Sequence, residues 1–524
     1  MYDVIIENGQ VVDGTGNPWF KADVGVKDGK IVTVGSLKEA QSAERINAEG
    51  NVVSPGFIDI HTHSDALLFA EPREQAKIVQ GITTEVIGNC GISAAPTSPD
   101  NLDLLQKYCS SVFGTVPLAW DWREFGDYLE RVEKRKTISN VAGLVGHGAI
   151  RIAAMGFEDR DPNPEELTRM KQMVDAALDA GAFGLSSGLI YPPGLFSGTP
   201  EMIELCKVVS NRGGIYTTHM RGETDAVLDS VRETIQVAER AGISTEISHH
   251  KTAGKQNFGK CQQTLRMVEE ARDKGLDVTC DAYPYIAAST TLATLLPPWM
   301  HAGGFAKMLE RLHNPQNRAR IKQEIVKGIP GWENYVKAAG WDGILISSCK
   351  KNKEYEGRTL QAIADEKKCE PAESLFDLLI ETSGEILMVI FMMCEDDVAS
   401  ILKHPAVMAG SDSLQAHPRY YGTFPRVLSK YVRQDKVLTL AEGVRKMTSM
   451  PAQKLGLRDR GVLAEGKWAD ITVFNPNTIE DRGTFLKPQQ YPVGINYVLV
   501  NGRVAVRKGE YTGIVFGQLL RHRS

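Results

Sequence analysis

Two histidines that lie two positions apart are the first residues that could do chemistry. His61 and His63 end the stretch GFIDIHTH (56–63), in which β-forming residues are frequent. Residues two apart on a strand project to the same side, so two imidazoles at this spacing can bind one metal ion. Taken alone, the pair would equally fit two ordinary surface or core histidines. The placement of other reactive residues decides between these interpretations.

Other side chains that can bind metals follow the ends of predicted strands. Cys90 follows the second strand, His219 the fifth, His249 and His250 the sixth, and Asp412 the eighth. The carboxyl ends of parallel barrel strands lie on one rim, so we expect these groups to converge there. Imidazole, thiolate and carboxylate suit zinc better than magnesium or calcium. Only one of the two adjacent histidines can point into the barrel, which leaves His250 a supporting or packing role.

Eight strand-like runs position these residues. They alternate with helix-like stretches such as 225–241 and 260–274, a pattern typical of βα units and a parallel sheet. Eight such strands predict an α/β fold of the TIM-like (β/α)8 barrel type. A doubly wound sheet is disfavoured, because no glycine-rich phosphate-binding sequence follows the first strand. The predicted strands are Asn51–Ile60, Thr83–Gly88, Ser139–Gly146, Ala182–Ser187, Gly214–Thr218, Ser244–Ser248, Asp277–Asp281 and Ala406–Gly410.

Short strands separated by glycine turns occur only near the two ends of the chain. We therefore predict a small β domain from residues 1–54 plus 456–524, and a metal-dependent catalytic barrel from residues 55–455. The interval between the seventh and eighth strands is too long for a simple βα connection. We predict an insertion there at about 284–345, with a short strand at 344–346, as a candidate lid.

The composition is that of an ordinary globular chain. The 524 residues are 42% hydrophobic and 24% charged, with a formal net charge of -5. No Lys/Arg-rich block is present, so no nucleic-acid partner is expected. The longest strongly apolar stretch, 386–394, is less than half of a membrane span, and the N-terminus lacks the pattern of a signal peptide. We expect a cytoplasmic protein without membrane association, whose eight cysteines are free thiols; the oligomeric state is not indicated.

The motifs that contain these residues together resemble the amidohydrolase superfamily, and within it the D-aminoacylase, or N-acyl-D-amino-acid deacylase, family. The resemblance extends over essentially the whole chain. The motifs are PGFIDIHTHSD (55–65), GNCG (88–91), LVGHGAIR (144–151), GAFGLSSGLIYPPG (181–194), YTTHMRGE (216–223), ISHHK (247–251), DAYPY (281–285), GSD (410–412) and HPRYYGTFPRVL (417–428).

This resemblance implies a barrel with a small β domain built from both termini. It implies zinc-dependent hydrolysis of a small-molecule substrate, an N-acyl-D-amino acid, to a carboxylic acid and a free D-amino acid. It also implies one tightly held zinc on Cys90, His219 and His249, and a second, weaker metal position near His61 and His63.

The resemblance further implies that Asp412 is the catalytic acid/base, which takes a proton from the attacking water and later gives it to the leaving amine. Lys251, Tyr283 and Ser289 are implied to hold the substrate carboxylate, which a cationic amine and two hydroxyl donors would suit. The alternative is that Lys251 is solvated and Tyr283 only packs.

Three further residues have open roles. His417 and Arg419 lie close to Asp412 in sequence and could contact a substrate side chain or belong to a solvated loop. His147 also follows a predicted strand, but the ligand set is complete without it. We expect His147 to be structural or to support a ligand.

Other functions on the same scaffold remain open. They are a cyclic-amide hydrolase of the hydantoinase or dihydroorotase type, a D-aminoacyl dipeptidase, and a catalytically dead structural barrel. Dihydroorotases and hydantoinases bridge two metals with a carboxylated lysine at the end of the fourth strand, whereas residues 182–188 contain no lysine. The intact ligand set disfavours a dead barrel. The sequence does not indicate the preferred acyl group or D-side chain, or how many metal positions are filled.

Overall fold

Twenty strands are present in the computed structural model, which describes residues 1–71, 73–114 and 116–522. The strands are β1 (Tyr2–Val11), β2 (Phe20–Lys27), β3 (Lys30–Gly35), β4 (Ser42–Asn47), β5 (Val52–Pro55), β6 (Phe57–Asp59), β7 (Ile82–Ile87), β8 (Asn140–Gly146), β9 (Gly184–Gly188), β10 (Ile215–His219), β11 (Ser244–Ile247), β12 (Val278–Ala282), β13 (Ala287–Thr291), β14 (Ile344–Cys349), β15 (Ile386–Phe391), β16 (Val407–Ala409), β17 (Ile471–Phe474), β18 (Ile495–Val500), β19 (Arg503–Arg507) and β20 (Glu510–Tyr511).

Sixteen α-helices connect these strands within the described residues, and none of them is long and apolar enough to cross a membrane. The last turn of α14 continues as a π-helix over Val427–Gln434. The helices are α1 (Leu102–Phe113), α2 (Phe125–Arg135), α3 (His147–Met155), α4 (Pro164–Asp179), α5 (Thr199–Asn211), α6 (Val227–Ala241), α7 (Cys261–Asp273), α8 (Phe305–Leu312), α9 (Pro315–Lys327), α10 (Tyr335–Ala339), α11 (Leu360–Lys367), α12 (Pro371–Glu381), α13 (Glu395–Lys403), α14 (Arg419–Arg426), α15 (Leu440–Met447) and α16 (Ser449–Lys454).

Eight strands form one parallel sheet in the order β16-β12-β11-β10-β9-β8-β7-β6. Every residue of β7 and β8 is buried, as expected for parallel strands covered on both faces. The end strands β6 and β16 are linked where the Asp412 backbone N–H donates to the His61 carbonyl oxygen at 2.8 Å. This nearly closed barrel confirms the predicted fold class, and seven of the eight predicted strands match within two residues at each end.

The first predicted strand, Asn51–Ile60, is instead two strands separated by Gly56. β5 pairs with β1 and β17, whereas β6 pairs with β7 in the barrel. A Cβ at Gly56 would overlap the side chain of Thr83, so only glycine fits where the chain passes from one sheet to the other. The prediction of one continuous strand was wrong because both segments are extended and buried, and the sequence pattern does not separate them.

Both ends of the chain contribute to a nine-stranded sheet, in the order β20-β19-β18-β17-β5-β1-β2-β3, with β4 parallel to β1. β17 pairs antiparallel with both β5 and β18, which joins the C-terminal strands to the N-terminal ones. The apolar side chains of this sheet, among them Ile6, Val24 and Ile471, pack into one core.

The chain divides into two compact units. The first comprises Met1–Ile87, Leu129–Gly143 and Val407–His522, and the second comprises Gly88–Tyr128 and Leu144–Ala406. This division does not follow the predicted domain bounds, which stay a prediction.

The long interval between β12 and β16 contains a three-stranded antiparallel sheet in the order β13-β15-β14. The short strand predicted at 344–346 lies within β14, whereas the sequence analysis did not predict β13 or β15. Residues 305–339, between β13 and β14, form the helices α8, α9 and α10. The function of this insertion as a lid stays a prediction.

The insertion is attached to the loop after β10 through the buried carboxylate of Glu333. This carboxylate accepts hydrogen bonds from the backbone N–H of Thr224 at 3.1 Å and from its hydroxyl at 3.0 Å. Burial, followed by the negative charge of Glu223, raises the pKa of Glu333 to about 7. The carboxyl group therefore keeps its proton well above the pH at which an unfolded chain would lose it.

We expect Glu333→Gln to make the stability of the protein less sensitive to a rise in pH from about 4.5 to about 7. The raised pKa means that the contribution of Glu333 to stability is complete below about pH 4.5 and is lost as the pH rises to about 7. The free energy of unfolding of the variant minus that of the parent should be about 2 kcal/mol larger at pH 8 than at pH 5. Denaturant unfolding of both proteins at the two pH values measures this difference. Glu354→Gln, which changes an exposed glutamate, is the control for the loss of one negative charge. A gain in the free energy of unfolding of Glu333→Gln that is equal at both pH values would contradict the expectation.

Candidate metal centre

Three candidate residues have a backbone conformation that is uncommon for residues with a side chain. The φ angles of Cys90, His249 and Asp412 are 55°, 37° and 44°, all in the left-handed region. Each residue follows the end of a barrel strand, namely β7, β11 and β16, by two or three positions. Such conformations cost of the order of 1 kcal/mol or more and concentrate at functional sites. The sharp turn at each strand end sets the direction in which the side chain points.

The glycine before this turn explains the GNCG motif around Cys90. Gly88 has a φ of 79°, and a Cβ there would overlap the carbonyl oxygen of Leu144 in the neighbouring strand β8. Only glycine allows the chain to pass this close to β8. The motif thus reflects backbone packing as well as the chemistry of the thiol.

Within the second unit, Cys90, His219 and His249 lie together and are buried. The Sγ of Cys90 is 3.4 Å from Nε2 of His249, and the two imidazole centroids are 4.3 Å apart. Burial lowers the pKa of His219, and the opposing effect of Glu223 is smaller. His219 is therefore a neutral imidazole at neutral pH, the form that binds metals. A thiol and two imidazoles are donors that zinc prefers, so these residues fit that metal.

Glu223 belongs to the same cluster, although the sequence analysis gave it no role. Its Oε1 is 3.0 Å from Nδ1 of His249 and 2.6 Å from Nζ of Lys251, and its Oε2 is 3.8 Å from Nε2 of His219. Burial alone would raise the pKa of Glu223, but the Lys251 ammonium and the two imidazoles hold it well below its usual range. The only sequence signal is its position four residues after His219 in the YTTHMRGE motif.

The three residues implied to hold a substrate carboxylate are all buried. Lys251 is 3% exposed, so the alternative of a solvated lysine is wrong. Its Nζ lies 5.5 Å from the ring centroid of Tyr283, the residue that follows β12. Ser289 lies in β13, opposite Val389 of β15. Binding of a substrate carboxylate by these residues stays a prediction.

Within the first unit, His61, His63 and Arg419 surround the carboxylate of Asp412. The Oδ1 of Asp412 is 3.2 Å from Nε2 of His63 and 3.6 Å from Nε2 of His61. The Oδ2 of Asp412 is 2.9 Å from a guanidinium nitrogen of Arg419. The guanidinium therefore holds one oxygen, and the other faces the two imidazoles.

His417 and Arg419, the latter the first residue of α14, are both buried, since each is 0% exposed. The alternative of a solvated loop is therefore wrong. The backbone N–H of Arg419 donates to Nδ1 of His417 at 3.0 Å, and the ring of His417 lies against Phe485. In the structure Arg419 binds Asp412, and its contact with a substrate stays a prediction.

A buried ion pair positions the residues that precede the histidine pair and Asp412. The Nζ of Lys77 donates to Oδ2 of Asp59 at 2.8 Å and to Oγ of Ser411 at 2.7 Å. The backbone N–H of Ser411 donates to Oδ1 of Asp59 at 2.9 Å. Asp59 ends β6 and Ser411 follows β16, so this network holds the two strand ends against each other.

The remaining candidate histidines bind other partners. The Nε2 of His250 lies 2.8 Å from the hydroxyl of Thr264 in α7, and burial lowers the pKa of His250 to about 4. The Nε2 of His147 lies 2.7 Å from Oε1 of Glu201, which also binds Arg151. Of the adjacent pair at the end of β11, it is therefore His249 that joins Cys90 and His219.

Comparison with known proteins relates the chain to hydrolases over nearly its full length. The amidohydrolase family model matches residues 44–506. The D-aminoacylase of Alcaligenes xylosoxydans xylosoxydans is 36% identical, covering 99% of this chain and 97% of that protein. The N-acyl-D-glutamate deacylase of the same organism is 37% identical, covering 95% and 93%.

Solved structures that are similar in both sequence and fold include an enzyme with a bound inhibitor. It is the N-acyl-D-glutamate deacylase from Bordetella bronchiseptica, complexed with zinc and a phosphonate inhibitor that mimics the tetrahedral intermediate of its reaction. It is 36% identical to this chain, superposes with a TM-score of 0.84, and the match covers 99% of each chain. These findings confirm the resemblance that the motifs indicate.

We expect Asp59→Asn to destabilise the protein by about 3 to 5 kcal/mol, because it leaves the buried ammonium of Lys77 without its anionic partner. The double variant Asp59→Asn/Lys77→Met removes both charges and should recover much of this loss. Denaturant unfolding of the parent, the two single variants and the double variant measures the coupling. A double variant as unstable as Asp59→Asn alone would contradict the importance of the unpaired charge.

Proposed function

We propose that this chain, which belongs to the amidohydrolase family, hydrolyses N-acyl-D-amino acids to a carboxylic acid and a free D-amino acid. The observation that carries the proposal is the buried set of one thiol and two imidazoles, Cys90, His219 and His249, at the ends of barrel strands. Similarity over nearly the whole chain to proteins named D-aminoacylase and N-acyl-D-glutamate deacylase supports the substrate class.

The three residues of this set are proposed to hold one zinc tightly, and His61 and His63 to form a second, weaker position. A zinc ion held there would lower the pKa of a bound water molecule and would polarise an amide carbonyl. Parallel barrel strands present their carboxyl ends on one rim, which supports a common role for the residues that follow them.

Asp412 is proposed to move the proton. Its Oδ2 is held by Arg419, which leaves Oδ1, the oxygen that faces His61 and His63, to exchange a proton. This carboxylate takes the proton of the attacking water and delivers it to the amine nitrogen as the carbon–nitrogen bond breaks. The amine thereby leaves in neutral form, which an amide requires for cleavage.

The substrate carboxylate is proposed to bind to Lys251, Tyr283 and Ser289. The ammonium and two hydroxyl groups can each donate to a carboxylate oxygen. The relatives named D-aminoacylase and N-acyl-D-glutamate deacylase are nearly equally similar to this chain, at 36% and 37% identity, so the preferred side chain stays open. We retain the insertion at about 284–345 as a candidate lid, since it contributes Ser289 and contacts Thr224 through Glu333.

The proposal is tested by zinc analysis together with a substrate panel. We expect about one tightly bound zinc per chain, rapid hydrolysis of N-acetyl-D-amino acids, and little activity on their L-forms, D-aminoacyl dipeptides, hydantoins or dihydroorotate. Cys90→Ala should lose zinc and activity together, whereas Cys206→Ala, which changes a buried thiol of α5, should keep both. Preferential cleavage of a cyclic amide, or full activity of Cys90→Ala, would reject the proposal.

We expect Asp412→Asn to keep most of its zinc but to lose turnover by about 100-fold to 10,000-fold, because an amide cannot exchange the proton. Zinc content and kcat, measured on the same preparation, separate loss of metal from loss of the proton carrier. Asp470→Asn is the matched control, since Asp470 is a buried aspartate that directly precedes β17 and pairs with Arg460. Near-normal kcat in Asp412→Asn would assign the proton transfer to another residue.

A further inference from the structure

We propose that Glu223 is a positioning residue that selects the metal-binding tautomer of His249. This inference rests on the proposed function, because it concerns the same zinc ligands. It assigns to Glu223 an effect on zinc affinity through His249 rather than a contact with the substrate.

The carboxylate of Glu223 lies behind the imidazole of His249. The Nδ1 of His249 is 3.0 Å from Oε1 of Glu223, and the opposite ring nitrogen, Nε2, is 3.4 Å from Sγ of Cys90. The Nδ1 edge of the ring thus contacts a group that only accepts hydrogen bonds, and the Nε2 edge contacts a second proposed zinc ligand. A neutral imidazole has one N–H and one lone pair, so the partner of Nδ1 determines which nitrogen can bind a metal.

Two partners compete for Nδ1 of His249. Glu223 can only accept a hydrogen bond, whereas the ammonium of Lys251, 2.7 Å from the same nitrogen, can only donate one. Donation by Lys251 would require the proton on Nε2 and would block metal binding there. Donation from Nδ1 to Glu223 leaves the lone pair of Nε2 toward Cys90, the arrangement that a zinc ligand needs.

The charges in this cluster favour the second arrangement. An ionised carboxylate is a stronger acceptor than a neutral imidazole, and Glu223 binds the Lys251 ammonium at 2.6 Å. Lys251 therefore satisfies its charge on Glu223 and does not need the lone pair of His249. The side chains of Glu223 and His249 are both almost completely buried, so their contact is shielded from water.

The chain contains a matched second example of this arrangement. Glu201 also binds one imidazole and one cation, His147 at 2.7 Å and the guanidinium of Arg151, and it is also buried. Because His147 is not among the proposed ligands, Glu201→Gln reproduces the loss of a buried carboxylate without changing the zinc site. It separates a loss of stability from a loss of ligand orientation.

The test measures the zinc dissociation constant by competition with a chelator, and the unfolding temperature of each apo-protein. We expect Glu223→Gln to weaken zinc binding by about 10-fold to 100-fold, the range typical for partners of metal-bound histidines. Glu201→Gln should lower the unfolding temperature and leave zinc affinity within about threefold of the parent.

In Glu223→Gln the ammonium of Lys251 loses its anionic partner, and this charge could itself weaken zinc binding. Lys251→Met and the double variant Glu223→Gln/Lys251→Met control for this effect because they lack the ammonium. Lys251→Met should bind zinc as tightly as the parent, because Glu223 still accepts from His249. The double variant should bind as weakly as Glu223→Gln; parent-like affinity in the double variant would overturn the proposal.

If Glu223→Gln does not fold, Glu223→Asp, which keeps the charge but shortens the side chain, should show weakened zinc binding, and unchanged binding would overturn the proposal. A parent protein that binds no zinc, or binds zinc without hydrolysing N-acyl-D-amino acids, would instead contradict the proposed function.

Discussion

Buried charge is the physical constraint on which the ends of the barrel strands depend. Asp59, Lys77, Glu223 and Lys251 are all nearly inaccessible to water, and an unpaired charge in such a place would cost several kcal/mol. Each is therefore paired, Asp59 with Lys77 and Glu223 with Lys251. Because each pair has a narrow range of acceptable geometry, it fixes the backbone next to a proposed ligand, and the strand ends become rigid supports for chemistry.

The strained turns at Cys90, His249 and Asp412 are tolerated because the surrounding structure holds them. The backbone N–H of Asp412 donates to the carbonyl oxygen of His61, and the N–H of the neighbouring Ser411 donates to Asp59. Hydrogen bonds of this kind offset a local conformational cost of the order of 1 kcal/mol or more. The turns aim side chains that a regular continuation of the strand would send in other directions.

Features of the structure that depend on local periodicity, and the residues that follow strand ends, can be predicted from the sequence. Features that depend on contacts between distant residues cannot. The barrel strands and the residues after them were predictable because apolar runs alternate with helical patterns. The network of Asp59, Lys77 and Ser411 joins residues up to 352 positions apart, and no local pattern indicates it. Glu223 lies in a loop without periodicity, and the sequence of such a loop does not indicate whether a carboxylate is buried or solvated. The passage between sheets at Gly56 was missed because apolar, extended segments on both sides continue the same pattern.

The surroundings of Asp412 and Glu223 suit these two carboxylates to different proposed roles. Both oxygens of Glu223 face cations or imidazoles, and its closest contact is the ammonium of Lys251, so a proton on it would break a buried ion pair. Asp412 has one oxygen fixed by Arg419, while the other faces His61 and His63, and the residue keeps 8% of its surface exposed. A proton can reach this oxygen and leave it without separating the carboxylate from its guanidinium. These surroundings support the proposed role of Asp412 in proton transfer, and they suit Glu223, which stays ionised, to hold other groups in place.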